Sequence, residues 1–193
     1  MNNSEVTPDW NVLYETASAQ DGYFTTRQAA EAGYSTQLLL KHIHAGRVVR
    51  SRRGIYRLVH FPAGDYEELV IAWLWSEQTG IVSHETALAL HGLSDVLPAK
   101  VHLTLPLSWK NRRFRVPENI VLHYFDVSAN DRAWFGAVPT TGPGRTLNDC
   151  ALENLSPDLL QQAAQQALKR GVATVDELTD VKEYLRGFGG LNI

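Results

Sequence analysis

Apolar positions near the start of the chain fall into three short runs at helical spacing, followed by two runs that alternate. Over Asp9 to Ala19, Trp10, Leu13, Tyr14 and Ala17 recur at i, i+3, i+4 and i+7, which predicts a first helix behind Pro8. Asp21-Gly22 turns the chain, and Thr25 or Thr26 can cap a second helix over Thr26 to Ala32. Gly33-Tyr34-Ser35 then makes a tight turn, and Ser35 opens a third helix, Thr36 to Ala45, closed by Gly46. Val48 to Ser51 and Ile55 to Leu58 read as strands around a hairpin turn at Arg52-Arg53-Gly54. Helix, turn, helix, hairpin is the order of a winged helix-turn-helix, expected here over residues 1–60.

On the third helix, Leu39 and Ile43 form the core stripe, flanked by Leu38 and His42. Thr36, Gln37, Leu40, Lys41 and His44 fall on the opposite side. Hydroxyl, amide and cationic groups on one helix face are the chemistry that reads base edges and phosphates in a major groove.

The rest of the chain, residues 61–193, predicts a mixed α/β domain, so the whole is of the α+β class. Asp65 to Gln78 is a helix with acidic residues in its first turn, where they favour the dipole. Ser83 is expected to cap the helix HETALALHGL. Val101 to Leu105 alternates and stops at Pro106, and Ile120 to Phe125 is a second strand that the pattern pairs with it as an antiparallel neighbour. Gly136 to Thr141 predicts a short strand, followed by helices over Arg145 to Leu155, Asp158 to Arg170 and Val175 to Leu185. The tail Gly187-Phe188-Gly189-Gly190 is expected to be loose.

Charge sharpens this division. The chain carries a formal net charge of −3, but residues 1–60 hold seven Lys and Arg against five Asp and Glu, and residues 61–193 hold eleven against sixteen. From Lys41 to Arg57 there are six cationic residues (Lys41, Arg47, Arg50, Arg52, Arg53, Arg57) and no acid. The densest positive run therefore lies on the elements that would meet a nucleic-acid backbone. A second basic cluster, Lys110, Arg112, Arg113 and Arg115, is interleaved with Trp109 and Phe114. It reads either as a charged hairpin tip or as a further nucleic-acid contact.

The remaining composition excludes several classes. Apolar residues at 44% and five Trp argue for a folded globular protein. The single Cys150 cannot form an internal disulfide, which suits a reducing cytoplasm. Residues 1–8 lack the basic and apolar regions of a signal peptide, and no stretch approaches the roughly 18 apolar residues of a membrane span. None of the seven histidines has the spacing of a strong zinc signature, so neither a metal nor a cofactor is expected. His84 and His91 share a helix face about two turns apart, and His102 and His123 are expected on an outer strand face. Ser83-His84-Glu85 and Asp149-Cys150 contain nucleophile-type residues but no converging triad, so no enzymatic activity is expected.

Three motifs, in order, resemble the AbiEi-type antitoxins of bacterial toxin–antitoxin and phage-resistance systems. They are Gly22 to Leu58, with the wing closing on Arg52-Arg53-Gly54-Ile55-Tyr56-Arg57; Ser83 to Leu93, SHETALALHGL; and Val138 to Asp149, VPTTGPGRTLND. The resemblance implies an antitoxin that also represses its own operon, bound to an inverted-repeat operator in double-stranded DNA. It further implies a C-terminal domain that neutralises a nucleotidyltransferase-like toxin or acts on that toxin's RNA target. The expected DNA-binding residues are Thr36, Gln37, Lys41, His44, Arg47, Arg50, Arg52, Arg53 and Tyr56. Lys110, Arg112, Arg113, Arg115 and Arg145 are candidates for an antitoxin or second nucleic-acid surface. The alternatives are an orphan winged-helix regulator without a toxin and a protein-interaction module.

Overall fold

The computed structural model describes residues 7–95 and 97–192. The signal-peptide reading of the first residues therefore falls mostly outside the described range. The chain is an α+β protein divided into two compact units, residues 1–78 and 79–193.

The first unit is built from α1 (Trp10–Ser18), α2 (Thr26–Glu31), α3 (Thr36–His44) and a three-stranded antiparallel sheet. The sheet's strands are β1 (Tyr23–Thr25), β2 (Val48–Arg52) and β3 (Ile55–Leu58), in the order β1-β3-β2. Each helix starts where a side chain answers the orphan N–H groups of its first turn. Asp9 accepts from Asn11 and Val12, Ser35 accepts from Leu38, and Thr25 makes a reciprocal capping box with Gln28. Leu13, Ala17, Phe24, Ala29, Leu39, Val48 and Leu58 form the core. Tyr14, placed on the inner stripe of α1 by its spacing, is instead 48% exposed. Gly22 has φ +83° and a Cβ there would meet the Phe61 ring at 2.6 Å, so only glycine lets the sheet close over that ring.

The boundary lies later than the expected residue 60. Helix α4 (Glu67–Trp75) is held to the first unit: Glu67 pairs with Arg57 of β3 at 3.2 Å, and Gln78 donates to Gln20 at 2.8 Å. Pro62-Ala63-Gly64 has a linker's composition, but these long-range polar contacts decide the grouping.

The second unit carries a five-stranded mixed sheet, β4 (Ile81–Val82), β5 (Val101–Leu105), β6 (Ile120–Tyr124), β7 (Arg132–Phe135) and β8 (Val138–Thr141), in the order β6-β5-β4-β8-β7. Helices α5 (His84–Leu90), α6 (Pro143–Leu152), α7 (Pro157–Lys169) and α8 (Thr179–Leu185) surround a core of Leu88, Leu147, Cys150, Leu160, Leu178 and Leu185, among others. Strands β5 and β6 run parallel, with Val101 opposite Ile120 and Leu105 opposite Tyr124, which corrects the antiparallel expectation. The 14 residues that join them, 106–119, hold a 3-10 turn at Leu107–Trp109 and cross over; a parallel pair needs a connection of about a dozen residues. Helix α8 begins at Thr179 rather than Val175, because the Glu177 carboxylate accepts from the Thr174 backbone and hydroxyl and holds that segment as a turn. The tail expected to be loose forms a 3-10 turn, Arg186–Phe188, with Phe188 packed on Tyr184.

Candidate nucleic-acid interface

The Gly33-Tyr34-Ser35 turn sets α3 at its angle to α2, with Gly33 at φ +83° and Tyr34 buried against Trp10 and His42. His42 stacks on Trp10 at 5.1 Å, and burial lowers its pKa, so this flank of α3 is neutral and packed. With Leu39 buried and Leu38, His42 and Ile43 half-buried, the helix has one rotational setting. That setting exposes Thr36, Gln37, Leu40, Lys41 and His44, as their spacing predicted.

The hairpin adds exposed cations of its own. Gly54 takes φ +77° at the tip, and its carbonyl accepts from the Thr26 backbone at 2.9 Å, which ties the tip to the start of α2. The β2–β3 register shifts between Arg50 and Arg52, which interrupts the regular pairing just before the tip. Arg47, Arg50, Arg52 and Arg53 are all exposed. Eight of the nine expected DNA-facing residues thus lie on the solvent side of α3 and the hairpin.

The ninth does not. Tyr56 is only 8% exposed and stacks on Phe24 at 5.8 Å, so it closes the hairpin by filling the core. Arg57, one of the six cations of the run, is also drawn inward. Besides Glu67, it donates to the Phe61 carbonyl at 2.8 Å and lies over the Tyr23 ring at 5.7 Å. It is adjacent to Tyr56 in sequence, so a cationic run was no guide to which of its members face water.

In the second unit, Lys110, Arg112, Arg113 and Arg115 lie exposed on the connection between β5 and β6, with Arg112 over the Trp109 ring at 4.0 Å. Arg145 separates from them in kind. Its Nε donates to Asp149 at 2.7 Å one helical turn on, and its other end reaches Asp131 at 3.9 Å. Burial pushes the Asp149 carboxyl up while Arg145 pulls it down. The threonines of that motif are internal: Thr140 donates to the Val82 carbonyl at 3.0 Å, and the Thr141 and Thr146 hydroxyls bond at 2.7 Å. His91, at the end of the SHETALALHGL segment, bonds the Thr141 carbonyl at 2.7 Å. The two C-terminal motifs therefore meet as a buried polar staple between α5, β8 and α6.

Ser83 sits at the N-cap of α5, but its hydroxyl does not cap the helix as expected. It bonds the adjacent His84 Nδ1 at 2.8 Å and accepts from Thr104 at 2.7 Å. Cys150 is 1% exposed, and burial pushes its thiol well above the usual range, which leaves it a packing residue.

Residues 11–59 match the family of the AbiEi antitoxin transcriptional regulators. The matched segment runs from α1 to the end of the hairpin, so the exposed residues of α3 and the hairpin lie within it. No curated protein matches the chain. Among solved structures, the chain is similar to the RV2827C protein from Mycobacterium tuberculosis, with a TM-score of 0.54 at 15% identity, over 96% of this chain and 75% of that one. That likeness is one of fold. Among the described residues no helix is long and apolar enough to cross a membrane.

Proposed function

We propose that the first unit is a winged helix-turn-helix that binds double-stranded DNA, with α3 as the recognition helix and the β2–β3 hairpin as the wing. The observation that carries this reading is the exposure of Thr36, Gln37, Lys41 and His44 on α3 and of Arg47, Arg50, Arg52 and Arg53 from the end of α3 to the hairpin tip, together with the regulator-family match of the same segment. Gln37 and Thr36, in the first turn of α3, are suited to base edges; the arginines are suited to phosphates. The protein then acts as a transcriptional autorepressor on an inverted-repeat operator and as the antitoxin of a nucleotidyltransferase-like toxin. The second unit neutralises that toxin or acts on its RNA target. An orphan regulator would share the DNA-binding half and lack the toxin.

The experiment is a titration of the purified chain against fluorescent DNA from its own upstream region and against a scrambled duplex. Tighter binding to the upstream DNA is expected, and Gln37→Ala is expected to narrow the difference between operator variants. Equal binding to both duplexes would remove the repressor reading. A nucleotidyltransferase-like gene beside this one, whose toxicity the chain suppresses, separates the antitoxin from the orphan regulator.

A further inference from the structure

Three histidines that are far apart in sequence come together in the second unit. His84 begins α5, His102 is on β5 and His123 on β6, and one ring nitrogen from each lies within 4.8 Å of the others. His102 Nδ1 and His123 Nε2 face each other at 3.1 Å with ring planes 18° apart, while the His84 ring lies stacked on that of His123 at 3.5 Å, so an ion shared by all three requires the His84 ring to turn towards the other two. Two imidazole nitrogens at this distance need either a shared proton or a cation between them. Ligand nitrogens about 2.0–2.1 Å from a tetrahedral zinc ion would be roughly 3.3 Å apart, close to the separation observed.

Polar neighbours hold one nitrogen of His84 and one of His123 and leave the other nitrogen of each over. Ser83 Oγ occupies Nδ1 of His84 and is itself held by Thr104. The Glu153 carboxylate is 3.4 Å from Nδ1 of His123, on the far side of that ring from His102. A carboxylate or hydroxyl on the distal nitrogen is how metal-ligating histidines are oriented and their tautomer set. The backbone is locked as well: Ser83 N–H donates to the His102 carbonyl at 3.1 Å, and His102 N–H donates to Thr86 at 2.9 Å. His84 holds φ +51°, a left-handed conformation that a non-glycine residue keeps only where its neighbours enforce it. Burial pushes all three rings below their usual pKa, His84 to about 2. The charges of Glu85 and Glu153 both act on His102 in a cation's favour, and Arg145, whose charge reaches His84, is already paired with Asp149.

The geometry points to a divalent transition-metal site, of the zinc class, with His84, His102 and His123 as its three nitrogen ligands and Glu153 as the group that orients His123. Three neutral imidazoles suit zinc, nickel or copper and disfavour magnesium and calcium. The fourth position is left to water or a further ligand.

The test uses tag-free, full-length protein stripped with a chelator. Zinc is titrated against a chromophoric competitor, and cobalt is titrated separately for its visible d–d absorption. One zinc per chain is expected, together with a cobalt spectrum of four-coordinate intensity and a melting temperature that rises with added zinc. His102→Ala, at the half-buried ligand, is expected to abolish all three, while His60→Ala, on the exposed end of the first unit, leaves them unchanged. Glu153→Gln is expected to weaken zinc by about tenfold to a hundredfold without changing the stoichiometry. Circular dichroism establishes that His102→Ala is folded; His102→Gln serves if it is not. No stoichiometric zinc binding by the parent chain, or binding retained in the folded His102 variant, would overturn the assignment.

Discussion

Replacing Arg52 and Arg53 together by Ala separates the wing's role in DNA binding from a merely solvated basic face. Both side chains are exposed at the hairpin tip, away from the core of the first unit. The fold should be intact in the double variant, with a melting curve close to that of the parent. If each arginine contacts one phosphate, removing both lowers the number of displaced counterions by two, and the slope of log K against log salt becomes shallower by about 1.8. Since that contribution vanishes towards about 1 M salt, the same slope gives a loss of affinity of about 30-fold near 0.15 M and about 200-fold near 0.05 M. Fluorescence anisotropy over this range measures both quantities. A loss that is the same at every salt concentration would refute the phosphate contacts, and an unchanged slope would remove the wing from the interface.

Arg57→Ala is the inward-facing control: it leaves the salt slope alone but costs about 2–3 kcal/mol in a urea melt, because Glu67 and the Phe61 carbonyl lose a charged donor. A fragment ending at Gln78 should be more stable than one ending at Phe61, since only the longer one retains Glu67 and the Gln20–Gln78 bond; thermal melts compare them. Burial lowers the pKa of His91, so the unfolded chain binds its proton first as acid is added. Its share of stability is therefore complete above about pH 6.5 and declines below it, and His91→Gln should reduce the pH dependence of urea midpoints between about pH 6.5 and 5. Cys150 should react with a thiol reagent only at the rate of unfolding, so labelling in mild denaturant that outpaces loss of secondary structure would contradict its burial.

The sequence determined what depends on a few neighbouring residues. Ser35, Thr25 and Asp9 cap α3, α2 and α1 because a cap bond spans only two or three positions. Arg53-Gly54 turns the hairpin because glycine tolerates the positive φ required there. The exposed face of α3 followed from the spacing of Leu39 and Ile43 alone. Tertiary structure decided what depends on partners far along the chain. Neither Tyr56 nor Arg57 shows in its own sequence that Phe24 and Glu67 are waiting for it. The parallel pairing of β5 and β6 depends on how the 14-residue connection crosses, which alternation within each strand does not encode. The histidines at positions 84, 102 and 123 lack a metal-like spacing because that spacing reports ligands on one local element. Here three elements each supply one ring, and only the sheet register and the start of α5 bring them together.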